Sequence, residues 1–171
     1  MDRMRLGRVV RRLGVLLVAV LAVPAQAAVA VDFTPGSAGL GDPYFPLAGN
    51  GGYDVGHYSL VFSYDPSTRV LDGTATVTAT ATQNLSRFDL DLRGFDIDRL
   101  TVNGAVASFT REGQELVITP AAGLPAGAVF TVVVGYSGVP QVITDPDGSI
   151  EGFVPTEDGA FVVGEPQGSP G

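Results

Sequence analysis

The residues able to do chemistry in this chain are few, and their types exclude more than they permit. Its 171 residues include one histidine, His57, and no cysteine. A zinc site draws about three protein ligands, mostly histidine and cysteine, so His57 has no partner of its own kind. Its place beside Tyr58 in an alternating run reads as packing or hydrogen bonding. No two histidines stand one helical turn apart around a glutamate, the pattern of zinc proteases. The stretch GSAGLG, Gly36 to Gly41, lacks the Gly-x-Ser-x-Gly spacing of a nucleophile elbow. It also lies in no strand-to-helix context, as a dinucleotide fingerprint requires.

Carboxylates are the remaining candidates. Asp89 with Asp91, and Asp96 with Asp98, stand two residues apart, which on a strand places each pair on one face. A glycosidase dyad needs two such groups about 5 to 10 Å apart in a cleft. The plainer reading is a solvated sheet face whose charge discourages edge-to-edge association. The run DPDGSIE, Asp145 to Glu151, has the look of a calcium loop but lacks its distal glutamate, and reads as a turn. Asn84-Leu85-Ser86 is a glycosylation sequon by pattern.

The elements that must position these residues are strands. HYSLVFSYD (His57 to Asp65) alternates as a half-buried strand and ends in the turn former Asp65-Pro66-Ser67-Thr68. DGTATVTATAT sets Thr74, Thr76, Thr78 and Thr80 on one face against Ala75, Val77, Ala79 and Ala81 on the other. RFDLDLRGFDI opposes Phe88, Leu90 and Leu92 to Asp89, Asp91 and Arg93, and Asn103-Gly104 is a hairpin signal between apolar runs. ELVITP and AVFTVVVGYSG add two strands, the second apolar enough around Val132 to Val134 to be central in a sheet. A closing strand runs to Val163. Outside the first stretch no 3.6-residue period is sustained. The fold class is all-β, an antiparallel β-sandwich with an open barrel as the alternative.

The first stretch is a targeting segment. Met1 to Arg12 carries five arginines against Asp2, Leu13 to Val23 is an apolar run of signal-peptide length, and Ala25-Gln26-Ala27 offers a cleavage site, with Ala30 as a second. The domain reading is therefore a signal peptide at 1–27, a Gly/Pro-rich flexible arm at 28–48, and a β-sandwich domain at 49–171. An uncleaved anchor is the other reading of the leader. Export implies a secreted, extracellular location. All ten basic residues are arginine, and the chain's formal charge of −8 deepens once the leader leaves. Such a surface repels phosphate backbones and anionic lipid, so nucleic acid and membrane are not the expected partners.

Read as one phrase, YDVGHYSLVFSYDPSTRVLDGTATVTATATQNLSRFDLDLRGFDIDRLTVNG (Tyr53 to Gly104) resembles the opening of the N-terminal domain of the M1 family of zinc aminopeptidases. A tyrosine-led strand, a DP-T--L-G turn, an alternating Thr/Ala strand, an L-L-G phrase and a V-V-G hairpin follow in that family's order. REGQELVITPAAGLPAGAVFTVVVGYSGVP continues the likeness, and AFVVGEPQGSPG is similar to the segment that, in the secreted actinobacterial branch, leads into the catalytic domain. The resemblance covers Asp42 to Gly171.

It implies a fragment: the zinc-binding histidines and the downstream glutamate ligand lie beyond Gly171, and no metal or catalytic residue falls inside the chain. One functional position carries over. Glu165, followed by Pro166, matches the glutamate that contacts the free N-terminus of the peptide substrate, which an ionised carboxylate can hold by charge-assisted hydrogen bonds. The resemblance implies zinc only in the full-length enzyme, where the missing catalytic domain packs on this one and zinc-activated water attacks the first peptide bond. The chain alone is then expected to be inactive, with an apolar patch near Tyr136 and the Phe161 strand. The alternative is a stand-alone secreted β-sandwich that binds a partner without enzyme activity, its surface polar all round.

Overall fold

A computed structural model describes residues 31–144 and 148–164. The leader at 1–27, Asp145 and Glu165 lie outside the described residues. In chain order the strands are β1 (Thr34–Pro35), β2 (Tyr53–Asp65), β3 (Val70–Ala81), β4 (Leu85–Asp91), β5 (Asp96–Val102) and β6 (Ala105–Val106). They continue as β7 (Ser108–Glu112), β8 (Glu115–Thr119), β9 (Val129–Gly138), β10 (Val142–Thr144), β11 (Ile150–Pro155) and β12 (Ala160–Val163). No helix occurs among the described residues.

A five-stranded sheet runs β2-β3-β9-β5-β6 and a four-stranded sheet runs β1-β4-β8-β7. Every pairing in them is antiparallel except the short β1–β4 contact. β9, with its apolar run Val132 to Val134, is the middle strand of the larger sheet, as that Val-rich centre suggests. The predicted hairpin is present: Asn103 and Gly104 both take positive φ, 51° and 79°, the backbone of a type I′ turn. Asn103 Oδ1 also accepts the Thr131 N–H at 2.9 Å, tying the turn to β9.

Alternation decides what enters the core. Val77, Ala79 and Ala81 of β3 face inward together with Phe130, Val132 and Val134 of β9 and Leu100 and Val102 of β5. Leu85 and Phe88 of β4 and Leu116 and Ile118 of β8 meet them from the four-stranded sheet. Tyr53, Phe88 and Phe130 form an aromatic triangle with centroids 5.2 to 6.1 Å apart. The threonines of β3 lie on the opposite, outer face.

The structure adds what the pattern did not show. A third sheet, β10-β11-β12, sits apart from the two others in pairing. Residues 31–48, expected as part of a free arm, are fastened instead. Thr34 N–H donates to the Asn84 carbonyl at 2.8 Å, Gly36 N–H to the Arg87 carbonyl at 2.9 Å, and the Gln114 amide to the Leu47 carbonyl at 2.9 Å. Gly36 fits there because a side chain would meet the Gly51 carbonyl, 2.5 Å from its Cβ position.

Candidate functional site

Cross-strand register shows why this sandwich has an open end. Paired residues share a face, so the inner face of the large sheet continues past the core through Tyr58, Leu60, Phe62 and Tyr64 of β2. They lie opposite Val77, Ala75, Gly73 and Leu71 of β3, and these in turn lie opposite Val132, Val134, Tyr136 and Gly138 of β9. The four-stranded sheet covers only the Tyr53 and Phe130 end of this apolar stripe. At the other end Tyr58, Leu60 and Phe62 are 55, 58 and 58% exposed. The strand expected to be half-buried is therefore open over its middle, because the facing sheet stops short of it.

Tyr136 is the centre of this open region. Its ring lies across Gly73, where a Cβ would stand 2.6 Å from it, and its edge meets Phe95 with centroids 5.1 Å apart. Burial raises the phenol pKa of Tyr136 above the ordinary value. Two apolar clefts flank the ring. One, of about 350 Å³, lies toward the third sheet between Phe62, Leu71, Phe153 and Val162. The other, of about 490 Å³, lies toward Tyr58, Leu90 and Val134. Leu60, Leu92 and Tyr136 line both, so they form one trough. Phe153 of β11 closes part of it by an edge contact with Tyr64 at 4.9 Å. Phe161 and Val162 on β12 are exposed beside it. Its walls are mainly apolar, with Asn50, Asp54 and Asp91 at the second cleft, and a trough of this kind offers apolar surface for binding.

The carboxylates divide. Asp96 and Asp98 are exposed, with a register shift between Ile97 and Arg99. Asp89 is not on a solvated face: it is 5% exposed, and Glu115, which the sequence reading passed over, is 3% exposed. Asp91 and Glu115 are direct cross-strand partners on β4 and β8. Asp91 accepts from the Gln114 amide at 2.9 Å and the Asn50 amide at 3.3 Å. Burial, and then the negative Asp91 and Asp89, push the Glu115 carboxyl up to about 7. Asp89 is raised too, chiefly by burial, against the pull of Arg87. Tyr53, whose hydroxyl donates to the Asp89 carbonyl at 2.6 Å, is raised by its burial first and by neighbouring Tyr58 and carboxylates after it.

The other motifs take structural roles. His57 is exposed on β2, on the outer face with Thr78 and in a different sheet from β4 and β8. Asn84 of the sequon spends its side-chain oxygen on the Ala126 N–H at 2.9 Å, and Leu85 is buried. Of the Asp145–Glu151 run, Asp145 lies outside the described residues and Glu151 is buried. Among the described residues no three His, Asp or Glu side chains converge as a metal-holding group.

With this architecture in view, comparison with solved structures is specific. The chain is similar to a two-domain M1 zinc metallopeptidase mutant bound to L-arginine, at 30% identity over 76% of this chain with a TM-score of 0.68. It is also similar to a mutant M1 zinc metallopeptidase from Deinococcus radiodurans bound to a Tyr-Ser-Ala substrate, at 30% identity, the same coverage and a TM-score of 0.67. The M1 zinc metallopeptidase from Deinococcus radiodurans without a stated ligand gives 30% identity and a TM-score of 0.67. The chain spans about 30% of the length of each of these. No family model matches the chain, and no curated protein does either. The shared fold is the all-β one of an M1 peptidase N-terminal domain.

Proposed function

We propose that this chain is the N-terminal, substrate-cavity domain of an exported M1 zinc metallo-aminopeptidase, whose zinc-binding catalytic site belongs to a second domain. The observation that carries the reading is the 30% identity to M1 zinc metallopeptidases across 76% of the chain, at a TM-score of 0.68. The uncovered trough around Tyr136 supports it, since a stand-alone module is expected to seal its apolar face. The arginine-rich, then apolar leader supports export to a secreted location, and the phrases of the sequence favour the secreted actinobacterial branch.

In this reading zinc and its activated water belong to the second domain, and this domain walls one side of the cavity. Glu165, two residues past the end of β12, is the residue proposed to grip the peptide's terminal ammonium. Its pairing with Pro166 favours an extended backbone at that point, and the carboxylate supplies charge-assisted hydrogen bonds worth roughly 1.5–3 kcal/mol each. The trough is proposed as the seat of the catalytic domain.

Reading the coding DNA beyond the Gly171 codon tests this directly. A zinc motif of two histidines around a glutamate, in frame or one base out, is the expected result. Its absence, or aminoacyl-anilide turnover by the purified chain that is lost on Glu165→Ala, overturns the division of labour.

A further inference from the structure

β2 is the outermost strand of the five-stranded sheet, and β3 is its only pairing partner among the described residues. Thirteen residues long, it presents a free backbone edge of the kind that pairs with another chain unless charge, proline or distortion blunts it. From Tyr53 to Asp65 it has no lysine, arginine or proline, and its one register shift, between Val55 and His57, lies near one end. Val61, on the outer face, is 71% exposed.

The residues at the two ends of the exposed run complement each other. In an antiparallel pairing of two identical strands about a two-fold axis, a residue must lie opposite one of the same face, so the axis passes through a residue. With the axis at Val61, His57 falls opposite Asp65, Tyr58 opposite Tyr64, Ser59 opposite Ser63 and Leu60 opposite Phe62. An axis at Leu60 instead sets Asp65 opposite Val55 and next to Asp54 of the other strand, a like-charge contact. Moving the axis to Phe62 leaves His57 opposite Ser67 and Asp65 opposite Ser59.

Both members of this His57–Asp65 pair are accessible. The His57 side chain has no hydrogen-bond or ion-pair partner among the described residues, and the residue's cross-strand neighbour on β3 is Thr78. Asp65 is exposed and uses Oδ1 to accept from Ser67 N–H at 2.8 Å and Ser67 hydroxyl at 2.7 Å; hydrogen bonds from Ser67 and Thr68 hold the group as an anion, and a carboxylate's roughly four acceptor positions leave room for a further donor.

We propose that β2 pairs antiparallel with β2 of a second copy of this chain about Val61, joining two five-stranded sheets into one of ten strands, with His57 of each copy hydrogen-bonded to Asp65 of the other. This goes beyond the peptidase reading and uses the strand's edge, whereas that reading uses the trough on its inner face.

The chain's lack of cysteine makes the register directly testable in the full-length chain. Paired Cα atoms in an antiparallel ladder stand about 4.5 to 5.5 Å apart, within disulfide reach. Under mild oxidation Val61→Cys should cross-link to a dimer. Ser59→Cys and Ser63→Cys should each fail to cross-link alone, while still associating, and should cross-link when mixed. In sedimentation velocity from micromolar to millimolar concentration, His57→Ala should weaken dimerisation about tenfold, the loss of two symmetric hydrogen bonds. A chain that stays monomeric throughout overturns the proposal. So does Val61→Cys cross-linking no faster than Ala121→Cys on an exposed loop while the mixed serine variants fail to join. If Val61→Cys does not fold, the mixed serine variants decide the question alone.

Discussion

The Glu115, Asp91 and Asp89 corner is where single side chains depart most from simple alternation. A glutamate opening the strand ELVIT reads as solvated, and Asp89 with Asp91 as a charged outer face. The loop bearing Leu47 and Asn50 closes over them, and that loop belongs to the part of the chain whose composition signals only an arm. Contacts between segments this far apart leave no local period, so the burial was not legible. Its consequence is a pH effect. The folded value for Glu115, about 7, lies above the ordinary 4.5. Between those values the folded chain keeps a proton that the unfolded chain has released, so stability falls as pH rises from about 4.5 to 7 and stays reduced above it. Glu115→Gln should therefore leave stability near pH 5 almost unchanged and raise it at pH 8. The gain should be about 1 kcal/mol, less than the full shift implies because water screens an edge cluster. Urea melts of both proteins at the two pH values measure this; equal slopes against pH would remove Glu115 as the cause.

At the level of elements, period-two patterning identified β2, β3, β4, β8 and β9, and Asn103-Gly104 identified one of the two-residue hairpins, the β7–β8 turn at Gly113-Gln114 being another. It did not show how far one sheet extends beneath another, because alternation reports that two faces differ and not what covers them. This is why Leu60 and Phe62 carry the same signal as Val77 yet stand open. The short strands β10 to β12 sit among turn formers and have too few residues for their period to mark a separate sheet. The difference between covered and uncovered parts of one face is measurable. Phe88→Ala removes a ring with no exposure and should cost about 3–5 kcal/mol. Phe62→Ala, on the uncovered part, should cost under about 1 kcal/mol in the isolated chain. Comparable losses in urea unfolding would mean that the trough is a second closed core and not an open face.

For the whole molecule the dominant quantity is charge. The chain carries a formal −8, and removal of the first 27 residues takes away five arginines and one aspartate, leaving 17 acids against five arginines, or −12. Two copies brought edge to edge along β2 therefore repel through many charges, while only the two His57–Asp65 contacts attract. Exposed hydrogen bonds of this kind contribute about 0.5–1.5 kcal/mol each. The repulsion acts at longer range and is cut once the screening length falls to about 10 Å, near 0.1 M salt. The balance sets the sign: moderate salt should strengthen self-association, in contrast to a contact held mainly by ion pairs. The leaderless chain, more negative, should show the steeper dependence. Sedimentation velocity at low and moderate salt on both forms reads this out. A dimer that weakens with salt would require its attraction to be chiefly electrostatic, which an edge whose central seven residues are all uncharged, from Tyr58 to Tyr64, does not supply.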